Sequence, residues 1–348
     1  MNLQQNFSLK KFNTFGIDVS AEYFSTFNSV TELEESLEFE KPVTHNPKPK
    51  TLILGGGSNI LFTKNFDGLV LKNEIAGIEK ISEEEDYVYV RAGAGVNWHK
   101  FVLYCIENNY AGVENLSLIP GNIGASPMQN IGAYGVEIKD VFHSLDAFHL
   151  NEKKTIQFNL NDCAFGYRDS NFKNKFKNQF AILFVTYRLN KKPVFNTSYG
   201  AIEQELEKMN VSLLSIQAIS QAVINIRSSK LPDPAVTGNA GSFFKNPEIT
   251  NDIFSTLKNN FPGIIGYALP NGNTKLAAGW LIEQCGPKAG ASWKGYRKGD
   301  TGCHAKQALV LVNYGNASGN DIYELSQAII DSVNKKFSVI LQREVNII

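Results

Sequence analysis

Residues 115–136 read NLSLIPGNIGASPMQNIGAYGV and hold no charged side chain. The stretch is too rich in Gly, Asn, Ser and Pro for a core strand and too long for a turn. Structureless loops of this length in compact domains are usually functional. Small uncharged residues suit a backbone that wraps a large cofactor. Bare N–H groups can bond a pyrophosphate, and apolar atoms can pack on a ring system. The plain alternative is a buried loop held by glycine turns.

A second glycine cluster lies upstream. Thr51-Leu-Ile-Leu54 reads as a short buried strand running into Gly55-Gly56-Gly57-Ser58-Asn59. A dinucleotide fold would need G-x-G-x-x-G opening a helix, but the third glycine would fall on Ile60. The chain also returns to strand character at Ile60-Leu61-Phe62 and Gly68–Leu71. What remains is either a tight turn or a loop whose amides approach a phosphate closely, and the long uncharged loop favours the second.

Working outward, residues 28–40 look helical, with Asn28 or Ser29 as cap. A Pro-rich loop follows at Pro42, Pro47 and Pro49. Tyr87–Ala92 alternates as a strand, and Val96–Asn108 carries Trp98, Phe101, Val102, Cys105 and Ile106 on one helical stripe. A β meander is expected over Val141–Leu150, Thr155–Leu160 and Phe180–Leu189. Residues 200–227 read as mainly helical. A long helix over about 322–336 is expected to start at an Asp321 cap with Glu324 completing a capping box. A strand from Ser338 to Ile348 follows. Strands and helices cluster rather than alternate, so the class is α+β. The division expected is 1–75 with the 338–348 strand returning to it, then 76–218, then 219–337.

The chain has 348 residues, beyond the usual size of a single core. Lys plus Arg equals Asp plus Glu, 34 against 34, which argues against broad nucleic-acid binding. The N-terminus has no apolar signal-peptide core, and no stretch of about 18 apolar residues could span a membrane. Cys105, Cys163, Cys285 and Cys303 form no C-x-x-C motif. They read as reduced thiols of a cytoplasmic protein, and a monomer is expected. Cys303 beside His304, with Cys285 upstream, fits no zinc spacing, so no metal is expected.

Several motifs, in order along the chain, carry a resemblance. They are Asn13-Thr-Phe-Gly-Ile17, Gly55–Asn59, Ile119-Pro-Gly-x-x-Gly-x-x-Pro-x-Gln-Asn-Ile-Gly-Ala-Tyr-Gly135 and Gly166-Tyr-Arg-Asp-Ser170. After them come Lys230-Leu-Pro-Asp-Pro234, Gly238-Asn-Ala-Gly-Ser-Phe-Phe-Lys-Asn-Pro247, Ala278–Gln284 and Arg343-Glu-Val345. The set resembles the UDP-N-acetylenolpyruvoylglucosamine reductases, and Ser198-Tyr199-Gly200 is similar to the subtype with a tyrosine loop. The resemblance implies a two-part FAD-binding domain of the vanillyl-alcohol-oxidase type plus a smaller α+β substrate domain. It implies non-covalent FAD, NADPH as co-substrate and a UDP-sugar enol ether as substrate.

It also implies roles for residues. FAD contacts would come from Gly55, Gly56, Gly57, Ser58, Asn59, Ile119, Pro120, Gly121, Gly124, Ala125, Ser126, Asn130, Gly132 and Ala133. Arg168 would stabilise the developing enolate, Glu344 would be its partner acid and Ser242 the proton donor. Tyr167, Tyr199, Lys230, Asn246, Lys275 and Gln284 would bind substrate, and Lys245 is a further cation for the diphosphate. Gly56 stands where many relatives carry a charged residue, which matters little if the backbone does the binding.

Each catalytic residue has a bland reading. Arg168 beside Asp169 could be a surface ion pair, Ser242 a turn residue, and Glu344 the solvent face of an edge strand. Two rival functions stand beside the reductase. One is an oxidase with flavin tethered through His or Cys, for which only His99 lies near a glycine turn. The other is a non-catalytic nucleotide-binding regulator, which would need none of Arg168, Ser242 and Glu344.

Overall fold

A computed structural model describes residues 2–39 and 50–348 of the chain. The Pro-rich loop expected at Pro42, Pro47 and Pro49 lies outside the described residues. Contacts divide the chain into two units. The first comprises Met1–Phe7, Ala21–Gly57 and Phe66–Ser229, and the second Ser8–Ser20, Ser58–Asn65 and Lys230–Ile348. The boundary expected at 219 falls inside a helix, Ile216–Lys230. Ile219, Ala222, Val223 and Ile226 of that helix pack with Ile202 and Leu206 in the first unit.

Among the described residues the first unit holds two main sheets and a short two-stranded ladder, Gly132–Ala133 with Val136–Glu137. One has the strand order Gln4–Ser8, Ser20–Phe27, Phe66–Asn73, Thr51–Leu54. Phe66–Asn73 runs parallel to Ser20–Phe27 and to Thr51–Leu54. Its Leu69-Val-Leu71 run is buried throughout, as parallel strands covered on both faces require. The other sheet is antiparallel, in the order Lys154–Asn159, Phe142–His149, Phe180–Asn190, Tyr87–Gly93, Ile78–Glu83. The expected meander therefore folds differently: Phe180–Asn190 returns beside Phe142–His149, not beside Lys154–Asn159. The reason is in the side chains. Lys154–Asn159 is mostly exposed and suits an edge, whereas Phe180–Asn190 is buried along most of its length and takes a central place.

The helix Trp98–Glu107 covers this sheet. Asn97 caps it by accepting from the Lys100 N–H, and the expected stripe Trp98, Phe101, Val102, Cys105 and Ile106 is buried. Ser29 caps the helix Val30–Leu37 in the same way. The helical region after residue 200 is two helices, Gly200–Lys208 and Ile216–Lys230.

The second unit has an antiparallel sheet in the order Gly238–Ser242, Val310–Asn313, Thr301–Cys303, Arg297–Lys298. A three-stranded sheet, Glu248–Thr250, Asn273–Leu276, Gly266–Ala268, packs with the helix Asn251–Asn260, and the helix Gly319–Phe337 lies on the four-stranded sheet against the helix Ala278–Glu283. The long helix starts earlier than expected. Ser318 is the cap, and Asp321 is the returning acid of the capping box. Ser-Gly-Asn-Asp is itself an S-x-x-D pattern three residues upstream of the expected start. The C-terminal strand is also shorter than expected: only Asn346–Ile347 forms a ladder, parallel to Ile60–Leu61. Residues 342–344 instead make scattered bonds to residues 243–245. Among the described residues no helix is long and apolar enough to cross a membrane.

Candidate cofactor and active site

The two glycine loops meet within the first unit. A Cβ on Gly56 would sit 2.9 Å from Gly121 Cα and 3.0 Å from Asn122 Oδ1, so glycine is what lets them close. Among the described residues, nothing accepts from the N–H groups of Gly56, Gly121 or Asn122, and all three residues are half-buried. Unspent amides without side chains around them are what a pyrophosphate needs. These residues fit the phosphate end of a dinucleotide.

The long loop is regular only in short 3-10 turns, Glu114–Leu116, Ile123–Ala125 and Pro127–Gln129, and in a two-residue ladder of Gly132–Ala133 with Val136–Glu137. It is held from below. Trp98 Nε1 donates to the Leu116 carbonyl at 2.9 Å, and Asn122 Nδ2 to the Gly95 carbonyl at 3.0 Å. The Ile123 and Gly124 N–H groups bond the Val96 and Ala94 carbonyls at 2.8 and 3.0 Å. Ser126 Oγ lies 2.8 Å from the buried Tyr187 hydroxyl. Ser126 and Asn130 therefore spend their side chains inside the protein, while Pro120 and Ala125 are exposed. Ile119 packs on the apolar core beneath.

Arg168 lies at the tip of a tight turn in which Gly166 and Asp169 exchange backbone bonds at 3.0 and 3.3 Å. Its φ is +53°, the left-handed region that L residues seldom adopt. Its Nη2 donates to the Gly132 carbonyl at 2.6 Å, so the guanidinium lies against the cofactor loop. A Cβ on Gly132 would come within 3.3 Å of Arg168 Nη1 and 2.8 Å of Glu137 Cγ. Tyr167 is exposed, with the guanidinium 5.7 Å from its ring centre.

Two residues not singled out from the sequence complete this cluster. Tyr134 lies beside Arg227 and stands edge-on to Tyr199 at 5.4 Å between ring centres. Burial pulls the Arg227 guanidinium below its ordinary value and pushes the Tyr134 phenol up. The Arg227 Nε has no partner among the described residues. Tyr199 precedes the helix Gly200–Lys208 and is 49% exposed. Only the run Arg-Ser-Ser-Lys before Leu-Pro-Asp-Pro could have drawn attention to Arg227, and an arginine near a helix end reads as solvated.

In the second unit Ser242 ends the strand Gly238–Ser242 just after a register shift, with Gly241 at φ +69°. Such bulges re-aim the next side chain. The Glu344 N–H donates to the Phe243 carbonyl at 2.8 Å, so Ser242 and Glu344 lie on adjoining backbone stretches. Lys245 and Asn246 follow on the same run. Asn246 Oδ1 accepts from the Ala278 N–H at 3.0 Å and so caps the helix Ala278–Glu283, leaving its Nδ2 for other work. Lys275 stands between Glu248 and Tyr267 in the three-stranded sheet. Lys230 and Gln284 are exposed. Ser58 and Asn59 also belong to this unit, where Asn59 accepts two bonds from Asn346 and anchors the C-terminal strand.

Residues 43–153 match a family described as FAD binding domain, and residues 233–348 match UDP-N-acetylenolpyruvoylglucosamine reductase, C-terminal domain. A UDP-N-acetylenolpyruvoylglucosamine reductase of Amoebophilus asiaticus is 52% identical, with 100% of both chains covered. One of Flavobacterium johnsoniae is 48% identical over 100% of both. The crystal structure of the reductase from Thermus caldophilus superimposes with a TM-score of 0.68, covering 100% of this chain and 99% of that one; at 21% identity it speaks for the fold. The protein is an FAD-dependent oxidoreductase with an FAD-binding domain and a smaller C-terminal domain of mixed helix and strand. Within that class it belongs to the UDP-N-acetylenolpyruvoylglucosamine reductase family.

Proposed function

We propose that the protein reduces UDP-N-acetylenolpyruvoylglucosamine to UDP-N-acetylmuramate with NADPH, in the cytoplasm, as a monomer making peptidoglycan precursors. The observation that carries the reading is the Arg168 guanidinium lying 2.6 Å from the Gly132 carbonyl, against a loop whose amides suit FAD. A cation at the cofactor is what a carboxylate-bearing enol ether requires.

Gly55, Gly56, Gly57, Ser58, Asn59 and the 119–133 loop would hold FAD non-covalently, and the bound flavin would supply the hydride chemistry between NADPH and the methylene carbon of the ether. The chain's own groups manage the charge. As negative charge gathers on the neighbouring carbon and its carboxylate, Arg168 stabilises it, and a preorganised cation is normally the largest catalytic contribution. Glu344 is its partner acid. Ser242 gives its hydroxyl proton to that carbon. Lys230, Lys245, Lys275 and the Asn246 amide hold the diphosphate, Tyr199 closes over it, and Tyr167 and Gln284 complete the substrate contacts.

The test is spectroscopic and kinetic. The purified protein should be yellow, release one FAD per chain on denaturation, and oxidise NADPH beyond about one equivalent per flavin only when the UDP-sugar is present. A colourless protein that takes up no FAD refutes the reading.

A further inference from the structure

We infer that Asn130 is a positioning residue for Arg168: it clasps the cofactor loop to the turn that carries the arginine. The inference rests on the reading above in which Arg168 serves the reduction.

Asn130 has no exposed surface and a φ of +45°. Its Nδ2 donates to Glu137 Oε2 at 2.8 Å and to the Gly166 carbonyl at 3.0 Å. Its Oδ1 accepts from the Lys139 N–H at 3.1 Å. These partners fix the orientation of the amide, since a carboxylate and a carbonyl face the nitrogen and an N–H faces the oxygen. Lys139 Nζ lies 2.9 Å from Glu137 Oε2, which holds that carboxylate in place. A side chain so enclosed has no polar edge to offer a cofactor.

Gly166, the residue it grips, opens the turn that presents Arg168. Two further bonds join the same two segments: Arg168 Nη2 to the Gly132 carbonyl at 2.6 Å, and Ser170 Oγ to the Met128 carbonyl at 2.7 Å. Residues 128, 130 and 132 of the loop thus fasten residues 170, 166 and 168 of the turn. A left-handed Arg168 persists only if its surroundings hold it there. Asn130 and Ser170 are both buried with their side-chain polar atoms bonded, and Asn130 is the one that grips the residue opening the turn. Anything that orders the loop therefore orders the arginine.

The test uses the holoenzyme of Asn130→Gly, which keeps the positive-φ backbone and deletes the amide. In the FAD-saturated enzyme, flavin bleaching by NADPH should slow far less than reoxidation by the UDP-sugar, while FAD affinity weakens severalfold as for the other anchors of the loop. Reoxidation by the UDP-sugar should slow about 10- to 100-fold, the usual penalty for a catalytic group misplaced by about an ångström. KM for the UDP-sugar should move far less than kcat. Hydrogen exchange across residues 166–170 should accelerate. In an Arg168→Ala background the same substitution should add less than twofold, because groups acting through one another are not additive. Failure to take up FAD, or effects that multiply in the double variant, overturns the proposal. If Asn130→Gly does not fold, Ser170→Ala replaces it, with a smaller slowing and the same non-additivity expected; full additivity there overturns it equally. An Arg168→Ala variant with normal reoxidation refutes the functional reading and the positioning role with it. Unchanged exchange in the turn, with the arginine effect intact, refutes the clasp alone.

Discussion

The cofactor loop of the first unit and the 238–247 run of the second both present polar groups on largely irregular backbone, yet they are held in opposite ways. The loop is anchored mainly by side chains: Trp98, Asn122, Tyr187 with Ser126, and Asn130. The 238–247 run is anchored mainly by backbone. The Asn239, Phe243 and Lys245 N–H groups bond the carbonyls of Thr14, Leu309 and Gln342, and the Phe243 carbonyl accepts from Glu344. A loop that must leave amides bare for a phosphate has fewer of them for its own support, so side chains take over. A run that offers only side chains can spend its amides on itself. The first design is sensitive to single substitutions in its anchors; the second exposes its functional groups to substitution without disturbing the fold.

The largest effect should come from the backbone-held region, where a side chain can be removed cleanly. Ser242→Ala should bind FAD and bleach with NADPH at close to the normal rate. Reoxidation by the UDP-sugar should fall at least 10²–10⁴-fold, the usual worth of a general acid. Stopped-flow absorbance at the flavin band separates the two phases, and equal slowing of both would make the serine structural.

Gly56→Val strikes the closure of the two loops, because its Cβ would lie 2.9 Å from Gly121 Cα. Overpacking of this kind costs about 1–3 kcal/mol, or roughly 10- to 100-fold in FAD affinity. Fluorescence titration of the apoprotein measures it, and wild-type affinity would show that the loops do not close against each other.

Tyr187→Phe deletes one anchor under the loop, the hydroxyl 2.8 Å from Ser126 Oγ. Stability should fall by about 1 kcal/mol, with FAD affinity weakening severalfold. Unchanged denaturation midpoints and affinity would remove side-chain anchoring from the comparison.

The smallest expected effect is common to both units. Burial pushes the Cys163 thiol of the first unit and the Cys303 thiol of the second up to about 12. A thiol reactive as thiolate is then silent at pH 8, so neither should label with an alkylating reagent until the protein unfolds. Mass spectrometry after brief alkylation checks this, and rapid labelling of one unit alone would mark that unit as locally open.

The two glycine-rich loops were legible because of their composition: small residues, no charge, flanking apolar periodicity. The Trp98–Glu107 stripe was legible for the same kind of reason. Arg168, Ser242 and Glu344 were reached only by resemblance, since a tight turn and a bulged strand leave no periodic trace. Arg227 and Tyr134 were missed because their proximity depends on where the helix Ile216–Lys230 packs. Gln4–Ser8 and Ile78–Glu83 were missed because they are mostly exposed and carry little apolar alternation. Val339, Leu341 and Val345 are buried as a strand would bury them, but most of that segment lacks a continuous ladder partner.

The second unit is assembled from three separated stretches, and this has a consequence for biosynthesis. Asn346–Ile347 lies along Ile60–Leu61, and the Thr63 N–H and hydroxyl both reach the Ile348 carbonyl at 2.8 Å. Phe15, Ile17, Leu61 and Phe62 are buried in that unit, yet they leave the ribosome long before their partners are translated. Residues 66–229 are continuous and can acquire their sheet and helices as they emerge. The early apolar segments must wait, exposed to chaperones and to other nascent chains, until the codons near 346 have been read.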